Sequence, residues 1–160
     1  MIGRAVLFVT LLLSFGCSGA RKAGPDAKAV AEQEHEARKC LRDADAPRKT
    51  EASAPERIKL SQILVRHAGL DRPQGAKLTR AQACLKALDA LKEVQLGTSW
   101  TDVVEQYSDS PGPKKDGDLG VVSKDDLDPK FANAAFALDT NELSYVVETK
   151  QGFHVILRTK

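Results

Sequence analysis

The chain has 160 residues, 42% of them apolar and 29% charged, with a formal net charge of +2 when the histidines are neutral. This is the composition of one globular domain with appendages, and it excludes a fibrous or wholly disordered chain. The charges nearly balance and no long basic block occurs, so nothing electrostatic points to nucleic acid as a partner.

Residues 1–16 place Arg4 ahead of an apolar run, residues 5–13, too short to cross a bilayer as a stable helix; an export signal is expected. The run leads into Leu13-Ser14-Phe15-Gly16-Cys17-Ser18, which resembles a bacterial lipobox. Cys17 is therefore the expected lipidation site, holding the protein on a membrane of the cell envelope, periplasm-facing or at the cell surface, without spanning it. A cleaved, secreted form and an ordinary core cysteine are the alternatives.

Residues 17–56 are rich in Ala, Lys, Arg, Glu and Asp, punctuated by Pro25, Pro47 and Pro55. Residues 26–43 contain good helix formers but a thin apolar set, Val30, Ala37 and Leu41, so they are read as a partly helical tether that buries little, with a partner-binding helix as the alternative. Export would permit a disulfide between Cys40 and Cys84. The expectation is nonetheless a buried free thiol at Cys84, because Cys40 falls in the tether and Cys84 on the apolar stripe of a helix. His35, His67 and His154 stand apart from one another and from any CxxC pair, so neither a metal site nor a cofactor is expected.

Residues 57–160 read as the folded domain. Residues 58–66 have the length and branched content of a strand, with Leu60, Gln62 and Leu64 on one face and Ser61, Ile63 and Val65 on the other. Both faces are largely apolar, so the strand is central, and Gln62 must find hydrogen-bond partners or line a site. Thr79 caps a helix running to about Leu96 and stopped by Gly97; Ser99 caps a shorter one carrying Trp100, Val103, Val104 and Tyr107. The stretch 107–120, crowded with Gly and Pro, is a surface loop that re-enters structure at Gly117-Asp118-Leu119-Gly120, where two glycines bracket Leu119 and suggest a tight backbone path presenting it to a pocket. Val121 and Val122 continue a short strand. Asp128 and Pro129 start a helix with Phe131, Ala134, Ala135 and Leu138, and residues 143–148 and 153–159 are two strands joined by a tight turn. The order predicts an α+β domain with a mainly antiparallel sheet.

Ile63-Leu64-Val65, Tyr107-Ser108-Asp109, Gly117-Asp118-Leu119-Gly120, the Phe131 helix with Ala135-Phe136, and Gly152-Phe153-His154-Val155-Ile156 together resemble the parvulin family of peptidyl-prolyl cis/trans isomerases, in order and spacing, over residues 58–160. The resemblance implies an FKBP-like fold with a four-stranded sheet and three to four helices, and proline-containing segments of unfolded or exported proteins as partners. By the same resemblance Leu119, Leu127 and Phe131 form an apolar slot for the proline ring, Leu127 standing where Met is usual. Gln62 occupies the place of the family's first His, Ser110 that of its Cys or Asp, Thr149 that of a frequent Thr, and His154 that of its second His; these four are the expected catalytic set, with Ser110 the foremost polar partner of the amide. Arg66 and Arg72 match the phosphate-binding cluster of one branch, while Asp71 stands where another basic residue is usual, so the expected preference is for an acidic residue before proline. Two functions follow: an active isomerase, which is favoured, or a non-catalytic Pro-peptide-binding or chaperone module on the same fold.

Overall fold

The computed structural model describes residues 26–48, 55–110 and 116–160. The signal segment, Cys17 and residues 111–115 of the Gly/Pro-rich loop lie outside them. The elements are α1 (Ala27–Asp45), β1 (Arg57–Val65), α2 (Arg80–Gln95), α3 (Trp100–Tyr107), β2 (Asp118–Ser123), a single 3₁₀ turn (Lys124–Asp126), α4 (Pro129–Ala135), β3 (Val147–Thr149) and β4 (Gly152–Arg158). The four strands form one antiparallel sheet in the order β2-β1-β4-β3. No helix among the described residues is long and apolar enough to cross a membrane.

The period-2 pattern of β1 divides two cores. Ile63 and Val65 join Phe153 and Val155 of β4 against α1, α2 and α3, whereas Ile58 and Leu60 join Ile156, Val147 and the α4 residues Phe131, Ala134 and Ala135 on the other face. Gln62 and Leu64 share the α4 face, so Gln62 is a polar residue on a buried surface, as its place in the strand requires. The starts of α2 and α3 follow from their caps. Thr79 and Gln82 form a reciprocal capping box, and the Ser99 hydroxyl accepts from Asp102 N.

Two expectations are corrected here. Residues 27–45 are not a tether that buries little: α1 is docked on α2, burying Ala37, Cys40 and Ala44 with Leu41 packed alongside. These positions are spaced i, i+3, i+4, i+7, a helical stripe built of small residues, and small side chains make a close-packed seam although they add little hydrophobicity. Cys84 is not a free thiol, because it forms a disulfide with Cys40 across that seam. The ion pair Lys92–Glu36, at 2.6 Å, joins α1 to α2, and Lys130–Asp45 joins α1 to α4.

The strand expected at 143–148 is shorter. Only Val147–Thr149 enter the ladder, with an isolated bridge at Leu143. Ser144 explains the gap: its hydroxyl accepts from Ile156 N and donates to Tyr145 O, taking over hydrogen bonds that a backbone ladder would have made.

The loop after α3 is stitched to β1. Asp109 N donates to Leu64 O, Leu64 N donates to the Ser108 hydroxyl, and Arg66 N donates to the Asp109 carboxylate. Gly117 then passes so close that Gln62 N donates to its carbonyl; it holds φ +66°, and a Cβ there would lie 2.1 Å from Gln62 O. Only glycine supplies this approach, which places Leu119 beside Gln62.

Candidate active site

A cleft of about 200 Å³ opens on the α4 face of the sheet. Its apolar walls are Leu119 from β2, Leu127 from the link between the 3₁₀ turn and α4, and Phe131 from α4; its polar groups are Gln62, Thr149, Gln151, His154, Asp126 and Asp128. Asp128 caps α4 by accepting from Lys130 N, and Pro129 at the first helical position fixes the helix start, so Phe131 is delivered to the cleft within one turn.

Strand register creates the polar floor. Leu64 pairs with His154 and Gln62 with Ile156, so Gln62 and His154 are diagonal neighbours on one face, within reach of long side chains. His154 Nδ1 lies 2.9 Å from Gln62 Oε1, and His154 Nε2 lies 2.7 Å from Thr149 Oγ1. The Gln62 oxygen can only accept, so Nδ1 carries the proton, and Nε2 accepts from the Thr149 hydroxyl. Thr149 Oγ1 itself accepts from Gln151 N, which turns its proton toward the imidazole. Every member of the chain is thereby oriented. Phe131 meets the His154 ring edge to face, with centroids 5.1 Å apart and planes at 82°.

His154 is 2% exposed. Burial pushes its pKa down to about 3, against the opposing pull of the Asp128 carboxylate and with a smaller contribution in the same direction from Arg66. The imidazole is neutral near pH 7, so it carries no proton there to give up as an imidazolium. Gln62 is nine-tenths buried, and with its amide oxygen held by His154 its amide nitrogen is the end that can act only as a donor. His67, whose pKa burial also lowers, accepts from Gly69 N and packs on Phe153 in the opposite core, away from the cleft.

Of the residues expected from the sequence, Gln62, Leu119, Leu127, Phe131, Thr149 and His154 converge on this cleft. Ser110, the foremost expected partner of the amide, is not among its lining residues; its backbone N–H donates to the Ser108 hydroxyl. Arg66 and Arg72 are also absent from the lining. The Arg66 guanidinium donates to Asp109 O and borders a neighbouring depression with Pro73, Gln74, Gly75, Ala76 and Asp109, while Arg72 is exposed. Three lining residues went unrecognised as such: Gln151 reads in the sequence as part of a tight turn, Asp128 as a helix cap, and Asp126 is not singled out at all. A carboxylate flanked by Leu127 and Phe131, both assigned to a slot, was the available clue.

Residues 48–159 match the family described as the PPIC-type PPIase domain. The chain is 32% identical over 118 residues to peptidyl-prolyl cis-trans isomerase Pin1 of Malus domestica, the match covering 68% of this chain and 98% of that one. It is 37% identical over 70 residues to foldase protein PrsA of Bacillus subtilis, covering 43% of this chain and 24% of the foldase. The crystal structure of the PPIase domain of TbPar42 aligns with a TM-score of 0.56 at 32% identity, over 64% of this chain and 99% of that one. The four-stranded antiparallel sheet and its helices are thus the parvulin fold, and the chain belongs to the PPIC-type, or parvulin, family of peptidyl-prolyl cis-trans isomerases.

Proposed function

We propose that the cleft takes X-Pro segments of exported proteins and catalyses rotation about the imide bond, with Leu119, Leu127 and Phe131 gripping the proline ring. The carrying observation is a fully oriented, neutral Gln62–His154–Thr149 chain lying beneath an apolar slot. Resonance holds the uncatalysed barrier at about 18–20 kcal/mol, and each 1.36 kcal/mol removed is tenfold in rate, so a thousandfold acceleration asks about 4 kcal/mol of the site. Rotation withdraws charge from the carbonyl oxygen and localises a lone pair on the imide nitrogen. Apolar walls favour that less dipolar state, and the amide N–H groups of Gln62 supply a donor to the acceptor that rotation creates. No step needs a proton to change hands, which suits an imidazole that cannot be protonated at neutral pH.

Ser110 remains a proposed contact for the residue preceding proline, together with Arg66 and Arg72. Their side favours Glu-Pro over Lys-Pro. Export is supported by the signal-like first sixteen residues and by the Cys40–Cys84 disulfide, a bond that persists in oxidising compartments. Lipidation of Cys17 would then hold the domain at the membrane surface, and the mass of the mature N-terminus tests it.

A second reading, a Pro-peptide-binding module without turnover, is favoured by one observation: Gln62 and Ser110 give the site no group that changes charge near pH 7. A protease-coupled isomerisation assay decides between them. Turnover that disappears in Phe131→Ala supports the enzyme; peptide binding without turnover in the unmodified protein supports the module.

A further inference from the structure

The two carboxylates on the cleft wall stand at one end of a charge gradient that the proposed reaction does not use. Asp126 follows β2 by three residues and feels Arg57, at the start of β1, because Ser123 pairs with Arg57 across the sheet. Arg66 follows Val65 at the other end of β1, about 30 Å away along the strand at 3.3 Å per residue. Gln62 lies between them, nine-tenths buried, its amide oxygen held by His154 and its side chain lining the cleft. In the proposed orientation a segment lying across the cleft has Arg66, which borders the neighbouring depression, on one side of its proline and Asp126 and Asp128, which line the cleft, on the other. The Asp128 and Arg66 charges both reach the His154 imidazole, with opposite sign, which places the two ends in one electrostatic field.

We infer that Asp126 and Asp128 are specificity-determining residues that select client segments with Lys or Arg directly after the proline. The inference rests on the proposed isomerase orientation, in which the Arg66 side takes the residue before proline. Both carboxylates also have structural tasks: Asp126 accepts from Ser123 N and Oγ, and Asp128 accepts from Lys130 N. Asparagine caps a helix about as well as aspartate, so Asp126→Asn with Asp128→Asn removes the charges while keeping the caps.

The test uses the full chain and the peptides Ala-Ala-Pro-Lys and Ala-Ala-Pro-Glu, with kcat/KM for isomerisation read by NMR exchange. Reversing the charge after proline is expected to change kcat/KM roughly fivefold at low ionic strength in favour of Lys, shrinking as salt is raised. In the Asp126→Asn, Asp128→Asn variant the Lys/Glu ratio falls to about one, whatever happens to the absolute rate. A ratio near one in the unmodified chain, or a ratio that survives the double substitution, overturns the inference. Should no peptide turn over, the isomerase reading fails by itself, and the same Lys/Glu ratio measured in the Kd of each peptide still decides the specificity.

Discussion

The buried imidazole makes the protein acid-sensitive in a way that the structure allows to be worked out. In the unfolded chain His154 titrates near 6.5, and in the fold burial holds it near 3. Between those values the unfolded state binds the proton and the folded state does not, so stability is complete above about pH 6.5 and falls as pH drops toward 3. At 1.36 kcal/mol per unit, lowering the pH from 7 to 4.5 removes on the order of 2–3 kcal/mol, and the full window is worth roughly 5 kcal/mol, a large part of the stability of a domain this size. Urea denaturation at a series of pH values measures the slope, and His154→Gln supplies the control: carboxylates contribute to acid sensitivity in both proteins, whereas the imidazole contributes only in the parent. The pH slopes of the two are expected to differ by about one proton between pH 4 and 6. Identical slopes would refute the claim that the ring is neutral and desolvated, and with it the hydrogen-bond polarity derived for Gln62 and Thr149.

Further outcomes follow from the same geometry. Turnover should show no ionisation of the site between pH 6 and 8, and a kcat/KM inflection near 6.5 would mean that His154 titrates as an ordinary histidine. Gly117→Ala places a methyl 2.1 Å from Gln62 O at a positive φ, so it should cost at least about 1–3 kcal/mol in thermal or urea unfolding and lower kcat/KM by shifting Leu119; a variant as stable and active as the parent would mean the loop is not pinned to β1. Opening the Cys40–Cys84 bond, by Cys40→Ser with Cys84→Ser, releases a loop of 44 residues and should cost about 4 kcal/mol on the chain-entropy account, read as a drop in urea midpoint that a reductant reproduces in the parent. Phe131→Ala removes a buried ring that packs on His154 and should destabilise by about 3–5 kcal/mol besides emptying the slot.

What the sequence disclosed depended on the range of the interaction. Caps are local, so Thr79, Ser99 and Asp128 marked helix starts correctly, and the alternation in β1 assigned Gln62 to a buried face without any knowledge of its partner. Pairing across the sheet is not local: nothing in either strand alone said that Gln62 would meet His154 diagonally, and only the family resemblance joined them. The docking of α1 was missed because alanines and a cysteine at helical spacing carry little hydrophobicity, although they permit the close approach that a disulfide needs. Asp128 was hidden by having two tasks at once, since a capping carboxylate looks complete without a ligand. The shortened β3 turned on one hydroxyl, that of Ser144, whose choice of partner is settled by tertiary contact and not by propensity.

The central claim is that the cleft lowers the barrier to prolyl rotation without moving a proton. Two-dimensional exchange NMR on a Glu-Pro peptide, with the full chain at catalytic concentration, tests it most directly. The account predicts cis–trans exchange cross-peaks at mixing times where the free peptide shows none, at the same rate at pH 6 and pH 8. Peptide resonances that shift on binding while no exchange cross-peak grows would contradict it.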